Sequence, residues 1–361
     1  MTGLRTDPIL IVGGYGVVGL QLAQLVRKRQ PDVPLLLAGR SQTAADQAAA
    51  DIGNAKGIVI DVNSDDPLAN ITTSIAAVVG AVNDPSNALM KAAIARAIPY
   101  VDITRWTERL LGAQKIAQAL DPICSVTLSS SWMAGVSAIV ARRACQDIGD
   151  IERIDTTILF RLKDKAGPNS VEYADRLSIP FRVWSGGKWR RVKPLTDPLR
   201  MTFPSGNVAN TYRFDEPSQE TLVALTGARS ISSRIAYDDA STMGVMKFMV
   251  RSGLWHLISG PWFRKLRHAI IYNPGDGASH EIVIDVVGKD SSCRATILDP
   301  AGQTHLTAVG AYIQLCDAAG LEGRPRRKSG VHTPEQATEG DFALSVLKQE
   351  GVAITFAHSC A

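Results

Sequence analysis

The amino-acid sequence predicts an α/β protein. Its N-terminal part is expected to be a doubly wound parallel sheet, into which an α+β domain built on a mostly antiparallel sheet is inserted. Two observations support this prediction. Strand-like apolar runs alternate with helical spacing over roughly the first 130 residues, the pattern of a parallel sheet covered by helices. After Val136 the alternation stops, and strand-like runs joined by long loops follow one another.

The first strand and the turn after it are the most informative segment. Residues 9–12 form an apolar run, and Gly14, Gly16 and Gly19 follow with G-x-G-x-x-G spacing before a helical pattern at 20–28. Glycine allows a sharp turn at Gly14, close approach of a diphosphate at Gly16 and close helix packing at Gly19. A strand before the motif and a helix after it predict a Rossmann-type dinucleotide site. The diphosphate would bind at the helix N-terminus.

The end of the second strand predicts which dinucleotide binds. Residues 34–38 form this strand, and Gly39, Arg40 and Ser41 follow it. An NAD site usually has Asp or Glu here for the ribose 2′-hydroxyl. Arg40 and Ser41 suit a 2′-phosphate instead, so the predicted cofactor is NADP(H). The alternative is that Arg40 is a solvated surface side chain.

The remaining elements follow in chain order. Within the parallel sheet the apolar pattern predicts strands at 57–62, 76–82, 100–104 and 123–128, and helices at 43–52, 67–75, 87–96 and 113–119. Later segments predict helices at 137–146 and 304–319 and strands at 154–160, 178–184, 226–238, 281–287 and 295–299. Asp61 and Val62, at the end of the third strand, would lie near the adenine, although Asp61 could equally cap a helix.

The predicted domains are a nucleotide-binding domain at 1–131, a substrate and dimerisation domain at 132–303, and C-terminal helices at 304–361 that return to the first domain. A net charge of +4 in 361 residues gives no support for nucleic acid as a partner. The five cysteines form no C-x-x-C motif, which favours the reduced cytoplasm. No metal-ligand spacing and no membrane-spanning apolar run is visible.

Several motifs together resemble the saccharopine dehydrogenase-like family of NADP-dependent oxidoreductases. They lie at residues 13–19, 38–40, 79–83, 99–104, 330–335 and 341–352. The resemblance covers nearly the whole chain and implies an enzyme, an NADPH-dependent reductase acting on a small-molecule substrate. It implies cofactor contacts from the glycine turn, the end of the second strand and the fourth-strand segment. With Asp61 and Val62, which their position after the third strand places near the adenine, the predicted cofactor residues are Gly14, Tyr15, Gly16, Val17, Val18, Gly19, Gly39, Arg40, Ser41, Asp61, Val62, Ala81, Val82 and Asn83. The chain departs from the family at 83–86 and 132–135, and both segments are expected to line the pocket.

The fifth strand carries the candidate catalytic residues. Tyr100, Asp102 and Thr104 alternate, so they share one face at the carboxyl end of a parallel strand. Asp102 would orient a substrate amine or relay a proton. The alternative is a buried carboxylate that caps the helix beginning near Thr107. Asn83, Ser131 and Trp132 are candidate substrate contacts, although Ser131 could be a helix N-cap and Trp132 a core residue.

Residues 240–275 contain no Asp or Glu but carry several Met, Trp, Lys and Arg residues. We expect this stretch to form a pocket wall or a homodimer contact, and a peripheral membrane surface is the less favoured alternative. The predicted reaction is reduction of the C=N bond of a small amino-acid- or amine-derived imine. One alternative is an enoyl (C=C) reductase on a lipid-like or carrier-bound substrate, and another is a non-catalytic NADP-binding sensor or scaffold.

Overall fold

The computed structural model describes residues 7–103, 105–164, 176–258, 261–263, 275 and 277–360. The chain divides into two compact units. The first comprises Met1–Gly135 with Thr307–Glu339, and the second comprises Val136–Leu306 with Gly340–Ala361.

The first unit is built on a parallel sheet. Its strands are β1 Ile9–Val12, β2 Leu35–Gly39, β3 Ala55–Val59, β4 Ala77–Gly80, β5 Tyr100–Asp102, β6 Ser125–Thr127 and β15 Gly330–His332. Their spatial order is β15-β6-β5-β4-β1-β2-β3, and each described pairing is parallel. The strand order reverses between β1 and β4, and such a switch point is where α/β sheets bind ligands at the carboxyl ends of their strands.

Helices accompany this sheet along the chain. They are α1 Val17–Arg29, α2 Gln42–Ile52, α3 Ala88–Ala95 and α4 Thr107–Ala119, followed late in the chain by α9 Gln303–Ala319 and α10 Pro334–Ala337. Leu10, Val78, Leu89, Tyr100 and Val126 belong to one buried apolar cluster of this unit. The helix predicted at 67–75 is wrong, because polar residues there form turns; the backbone N–H of Leu68, for example, binds the Asp66 carboxylate at 3.1 Å.

The second unit is built on a mixed sheet with short helices. Its strands are β7 Ile151–Phe160, β8 Phe181–Ser185, β9 Lys188–Val192, β10 Leu199–Thr202, β11 Val208–Arg213, β12 Ser230–Tyr237, β13 His280–Gly288, β14 Ser291–Asp299 and β16 Ala353–Cys360. Its helices are α5 Val136–Cys145, α6 Ser218–Thr226, α7 Ala240–Arg251, α8 Leu254–Leu257 and α11 Gly340–Gln349. The order is β10-β11-β12-β7-β13-β14-β16, with β8 beside β12 and β9 beside β8.

Among the described strands of this sheet, β7 and β12 pair in parallel and the other pairings are antiparallel. The predicted fold class, a doubly wound parallel sheet with a second domain on a mostly antiparallel sheet, is therefore confirmed. The strand predicted at 226–238 is shorter, because Gly227, with φ of +66°, ends α6 before β12 begins. The last strand, β16, pairs with β14, so residues 353–360 lie in the second sheet, whereas the sequence assigned 304–361 to the first domain.

Candidate functional site

The turn after β1 is shaped by glycines that lie against neighbouring backbone. Gly13 has φ of +90°, and a Cβ there would lie 2.7 Å from the Ala81 oxygen. A Cβ on Gly14 would lie 3.0 Å from Leu37 Cα. The sharp turn is therefore at Gly13, one residue earlier than predicted, and Gly14 provides close packing of the turn on β2. The predicted cofactor residues Ala81 and Val82 do lie beside the turn, since the Ala81 N–H binds the Val12 oxygen at 2.8 Å.

The last two glycines of the motif have different surroundings. A Cβ on Gly19 would lie 2.1 Å from the Gly13 oxygen, so only glycine lets α1 pack this close to the turn. Gly16 is the exposed N-cap of α1, and a Cβ there would meet only the Gly13 oxygen, at 3.1 Å. The first turn of α1 begins with Val17 and Val18, and it contains no Asp or Glu. The helix N-terminus is thus suited to an anion such as a diphosphate.

The end of β2 is joined to the glycine turn through Tyr15. The Tyr15 ring covers Gly39, where a Cβ would lie 2.4 Å from ring carbon Cε1, and its hydroxyl accepts the Ser41 N–H at 3.1 Å. The Ser41 hydroxyl caps α2 by accepting the Ala44 N–H at 3.3 Å. Arg40 is exposed, and none of the described residues forms a hydrogen bond or an ion pair with it. The guanidinium of Arg40 is thus exposed at the position predicted for 2′-phosphate binding.

Asp61 and Val62 follow β3 at the same edge of the sheet. Asp61 is exposed, and its carboxylate accepts the backbone N–H of Asn63 at 3.0 Å and the side-chain amide of Asn63 at 3.1 Å. This arrangement is an Asx turn, so the alternative of a helix cap is wrong. Val62 packs partly buried against the core.

The end of β5 holds a buried ion pair that the sequence did not reveal. The Asp102 carboxylate accepts a hydrogen bond from Arg105 Nε, and its other oxygen accepts the Ser129 N–H at 2.7 Å. Both side chains of the ion pair are buried, and Arg105 Nη1 also donates to Asn87 Oδ1 at 2.6 Å. Asp102 therefore links the ends of β5 and β6 and does not cap α4, whose N-cap is Trp106.

The charges in this cluster shift one another's pKa values. Burial raises the pKa of the Asp102 carboxyl above its ordinary value, and the Arg105 guanidinium opposes that rise. Asp102 raises the pKa of Arg105 despite the desolvation of the guanidinium. Burial, and then the charge of Asp102, raises the pKa of the Tyr100 phenol. Tyr100 therefore stays protonated at neutral pH. Its hydroxyl lies against Gly80, where an added Cβ would be 2.8 Å from the hydroxyl oxygen.

A second arginine lies at the end of β4. Arg109 donates to Asn83 Oδ1 and to the Asp84 carbonyl oxygen, and its guanidinium lies 4.8 Å from the ring centroid of Trp106. The buried Asp84 carboxylate caps α3 by accepting the Ala88 N–H at 2.9 Å. Arg105 and Arg109 were both missed. The available signal was the occurrence of two arginines directly after a buried strand.

The segment after β6 holds the other candidate substrate contacts. Ser131 and Trp132 are buried, with 6% and 7% of their surface exposed. Met133, Ala134 and Gly135 follow with φ of +57°, +51° and +94°, a left-handed run that is costly for the first two residues. A Cβ on Gly135 would lie 2.4 Å from Pro334, so the turn is held against the start of α10.

The structure thus brings most predicted site residues to the carboxyl edge of one sheet. The glycine turn, Arg40, Asp61 and Asn83 follow β1, β2, β3 and β4 respectively, and Asp102 is the last residue of β5. Thr104, the third candidate catalytic residue, lies outside the described residues. In the described part of the chain, no three His, Cys, Asp or Glu side chains group to hold a metal, and no helix is long and apolar enough to span a membrane.

Comparison with solved structures identifies the fold. Neither a protein-family model nor a curated protein sequence matches the chain. Saccharopine dehydrogenase (L-Glu forming) from Saccharomyces cerevisiae is similar over 98% of this chain and 100% of that chain, at 13% identity and a TM-score of 0.63. The chain has the saccharopine dehydrogenase fold.

Two further solved structures are less similar. DAP dehydrogenase from C. glutamicum, in complex with DAP, covers 96% of this chain and 100% of its own at 14% identity and a TM-score of 0.45. GenD2 from gentamicin A biosynthesis, in complex with NAD, is similar over 100% of this chain and 98% of its own, at 12% identity and a TM-score of 0.45. The assignment of the fold rests on the similarity to the yeast enzyme, and these similarities assign no substrate.

Proposed function

We propose that the chain is an NADPH-dependent oxidoreductase that reduces the C=N bond of a small amino-acid- or amine-derived imine. The observation that supports NADPH most directly is Arg40, exposed after β2 where an NAD site usually has a carboxylate. The glycine turn fits the same cofactor, because Gly13 and Gly19 leave no room for side chains. Arg40 and the glycine turn follow β2 and β1, beside the point where the strand order of the sheet reverses, and such a point is where α/β sheets bind ligands.

Different residues would bind different parts of this cofactor. The N-terminus of α1 binds the diphosphate, and Arg40 with the Ser41 hydroxyl binds the 2′-phosphate. The Ser41 hydroxyl already accepts the Ala44 N–H, so it takes part as a donor. When bound, the cofactor supplies a hydride from C4 of its nicotinamide, and the protein supplies position and electrostatics.

The cluster after β4 and β5 supports an amino-acid-derived substrate. The charge of Arg105 is balanced by Asp102, whereas the Arg109 guanidinium donates to the neutral oxygens of Asn83 and Asp84 and provides positive charge where such sheets bind ligands. A substrate carboxylate would be attracted to Arg109. Both carboxylate oxygens of Asp102 already accept hydrogen bonds within the protein. We therefore propose that Asp102 positions Arg105 and the Ser129 backbone. Proton transfer by Asp102, which the sequence predicted, stays a prediction.

The Arg40→Asp variant tests the cofactor assignment. We expect the variant to lose or reverse the preference for NADPH over NADH, because a carboxylate repels the 2′-phosphate and accepts the 2′-hydroxyl. The two dissociation constants are measured by titration at one salt concentration. Lys115→Asp is the matched control, since this exposed lysine on α4 undergoes the same change of charge and should keep the wild-type preference. An Arg40→Asp protein with an unchanged preference would leave Arg40 as a solvated side chain.

Turnover separates the three candidate functions. Oxidation of NADPH is followed with a panel of cyclic and amino-acid-derived imines and with a panel of enones and enoyl thioesters. We expect turnover with imines. Turnover confined to enoyl compounds would favour the enoyl reductase, and tight NADPH binding without oxidation by either panel would favour a sensor or scaffold.

A further inference from the structure

The last strand of the second sheet, β16, is an edge strand. The strand order places it at one end of the sheet, and its eight residues pair with β14 in an unbroken antiparallel register, from Ser291↔Cys360 to Leu298↔Ala353. In the described part of the chain, nothing pairs with its other side. Because alternate residues of an antiparallel strand direct their N–H and C=O groups to opposite sides, about half of these groups in β16 face outward without a strand partner.

The edge of β16 lacks the features that keep other edges of the two sheets from pairing. Among the edge strands, β9 contains Lys188, Arg190 and Arg191. Two more, β10 and β3, contain Arg200 and Lys56, and β15 has only three residues. Charged residues on an edge strand, Lys above all, oppose pairing with another chain. The sequence of β16 contains no Lys, Arg, Asp, Glu or Pro, and its register with β14 has no bulge, so this edge is open to a further strand.

One face of β16 presents small side chains that are complementary to themselves. Thr355, Ala357 and Ser359 alternate along the strand, so they share this face, and all three are exposed. Toward β14, Thr355 and Ser359 form hydroxyl pairs with Thr296 and Ser292, each at 2.7 Å. An antiparallel second copy centred on Ala357 would place Ser359 of that copy opposite Thr355. Hydroxyl pairs between opposite residues stabilise antiparallel strands, and a hydroxyl can donate and accept at once.

We propose that two copies of the chain associate through β16, which pairs antiparallel with its own copy about a two-fold axis at Ala357. Two features select a second copy as the occupant. The edge is uncharged, so two identical strands bring no Lys, Arg, Asp or Glu side chains opposite each other. The assembly also closes at two copies, because each copy has one such edge among its described strands and the other edge strands of this sheet carry cations.

This contact differs from the dimer contact that the sequence predicted within residues 240–275. It joins the mixed sheets of two copies edge to edge through backbone hydrogen bonds, and it involves the second unit alone. The proposal does not rest on the reductase activity.

Analytical ultracentrifugation of the full-length chain over a wide range of concentration tests the association. We expect a dimer for the wild type. Ala357→Lys should raise the dissociation constant of the dimer by at least about tenfold, because the two introduced ammonium groups would lie opposite each other at the axis. Thr202→Lys is the matched control, since this exposed residue of the edge strand β10 undergoes the same change of charge and should leave the dimer intact.

Two further measurements locate the contact on β16. Ala357→Cys/Cys360→Ser should form an intersubunit disulfide with oxidised glutathione, because opposite Cα atoms of an antiparallel pair are about 4.5–5.5 Å apart, within the range of disulfides. Thr202→Cys/Cys360→Ser should not form one. In hydrogen exchange, the outward N–H groups of β16 should exchange faster in Ala357→Lys than in the wild type, whereas those of β13, inside the sheet, should exchange equally.

Any of three results would overturn the proposal. One is a wild type that stays monomeric at every concentration. Another is an equal effect of Ala357→Lys and Thr202→Lys on the dimer. The third is a dimer that Phe248→Ser dissociates and Ala357→Lys does not, which would assign the contact to α7, where Phe248 is 66% exposed. Ala357 is exposed, so folding should be preserved, and the disulfide variant tests the same contact without an added charge.

Discussion

Replacing Asp102 by alanine should lower the free energy of unfolding by about 3–5 kcal/mol, because the variant removes the carboxylate that neutralises the buried Arg105 guanidinium. Both side chains of this pair are almost completely buried, so solvent screens the loss very little. The measurement is urea unfolding followed by circular dichroism. Asp66→Ala is the control, since the Arg96–Asp66 pair is partly exposed and its loss should cost at most about 1 kcal/mol.

A double variant sharpens this prediction. Asp102→Leu/Arg105→Met removes both charges and should recover much of the stability lost in Asp102→Ala, since the cost arises from one uncompensated buried charge. A double variant as unstable as the single variant would show that the packing of these side chains, rather than their charge, stabilises the ends of β5 and β6.

The catalytic prediction for Asp102 needs a separate readout. If Asp102 contacts substrate and relays a proton, Asp102→Asn should lower kcat by about 10²–10⁴, the range for general acid–base groups, while NADPH affinity stays unchanged. The measured kcat is divided by the folded fraction of the protein, so that a loss of stability is not counted as a loss of catalysis. A folded Asp102→Asn protein with wild-type kcat would restrict Asp102 to positioning Arg105 and Ser129.

Replacing Gly19 by alanine should both destabilise the first unit and weaken dinucleotide binding. The new Cβ would lie 2.1 Å from the Gly13 oxygen, and backbone on both sides must move to relieve this contact. We expect a loss of about 1–3 kcal/mol in stability, as for other overpacked sites. NADPH affinity should fall at least about tenfold, because the diphosphate position depends on how α1 meets the turn.

Gly112→Ala is the matched control for Gly19→Ala. Gly112 is also a helical glycine, but a Cβ there meets no atom within 4 Å. Since alanine is the better helix former by roughly 0.5–1 kcal/mol, this variant should be as stable as the wild type or more so, with unchanged NADPH affinity. Equal effects of the two substitutions would contradict the role given to the packing of Gly19.

The parallel sheet could be predicted because its signals are local. The apolar run at 9–12 and the glycines after it fix a strand, a turn and a helix within about 20 residues, and Arg40 follows the next strand directly. The strand limits were less accurate. The sequence predicted that β5 continues to Thr104, but its ladder ends at Asp102, where the carboxylate turns to Arg105.

The residues that were missed depend on contacts distant in sequence. Asp102 accepts a hydrogen bond from the Ser129 N–H, and Arg109 donates one to Asn83. Each pair is separated by more than 20 residues, so no local sequence pattern connects its members. In the second unit, β16 pairs with β14, more than 50 residues earlier. Its sequence, A-I-T-F-A-H-S-C, has no other signal of that register.

The most direct test of the central claim is titration of the wild-type protein with NADPH and with NADH, by calorimetry in one buffer at one salt concentration. We predict that NADPH binds at least about tenfold tighter, a difference of about 1.4 kcal/mol. This preference follows from the exposed guanidinium of Arg40, at the end of β2. Equal affinities, or tighter binding of NADH, would contradict it.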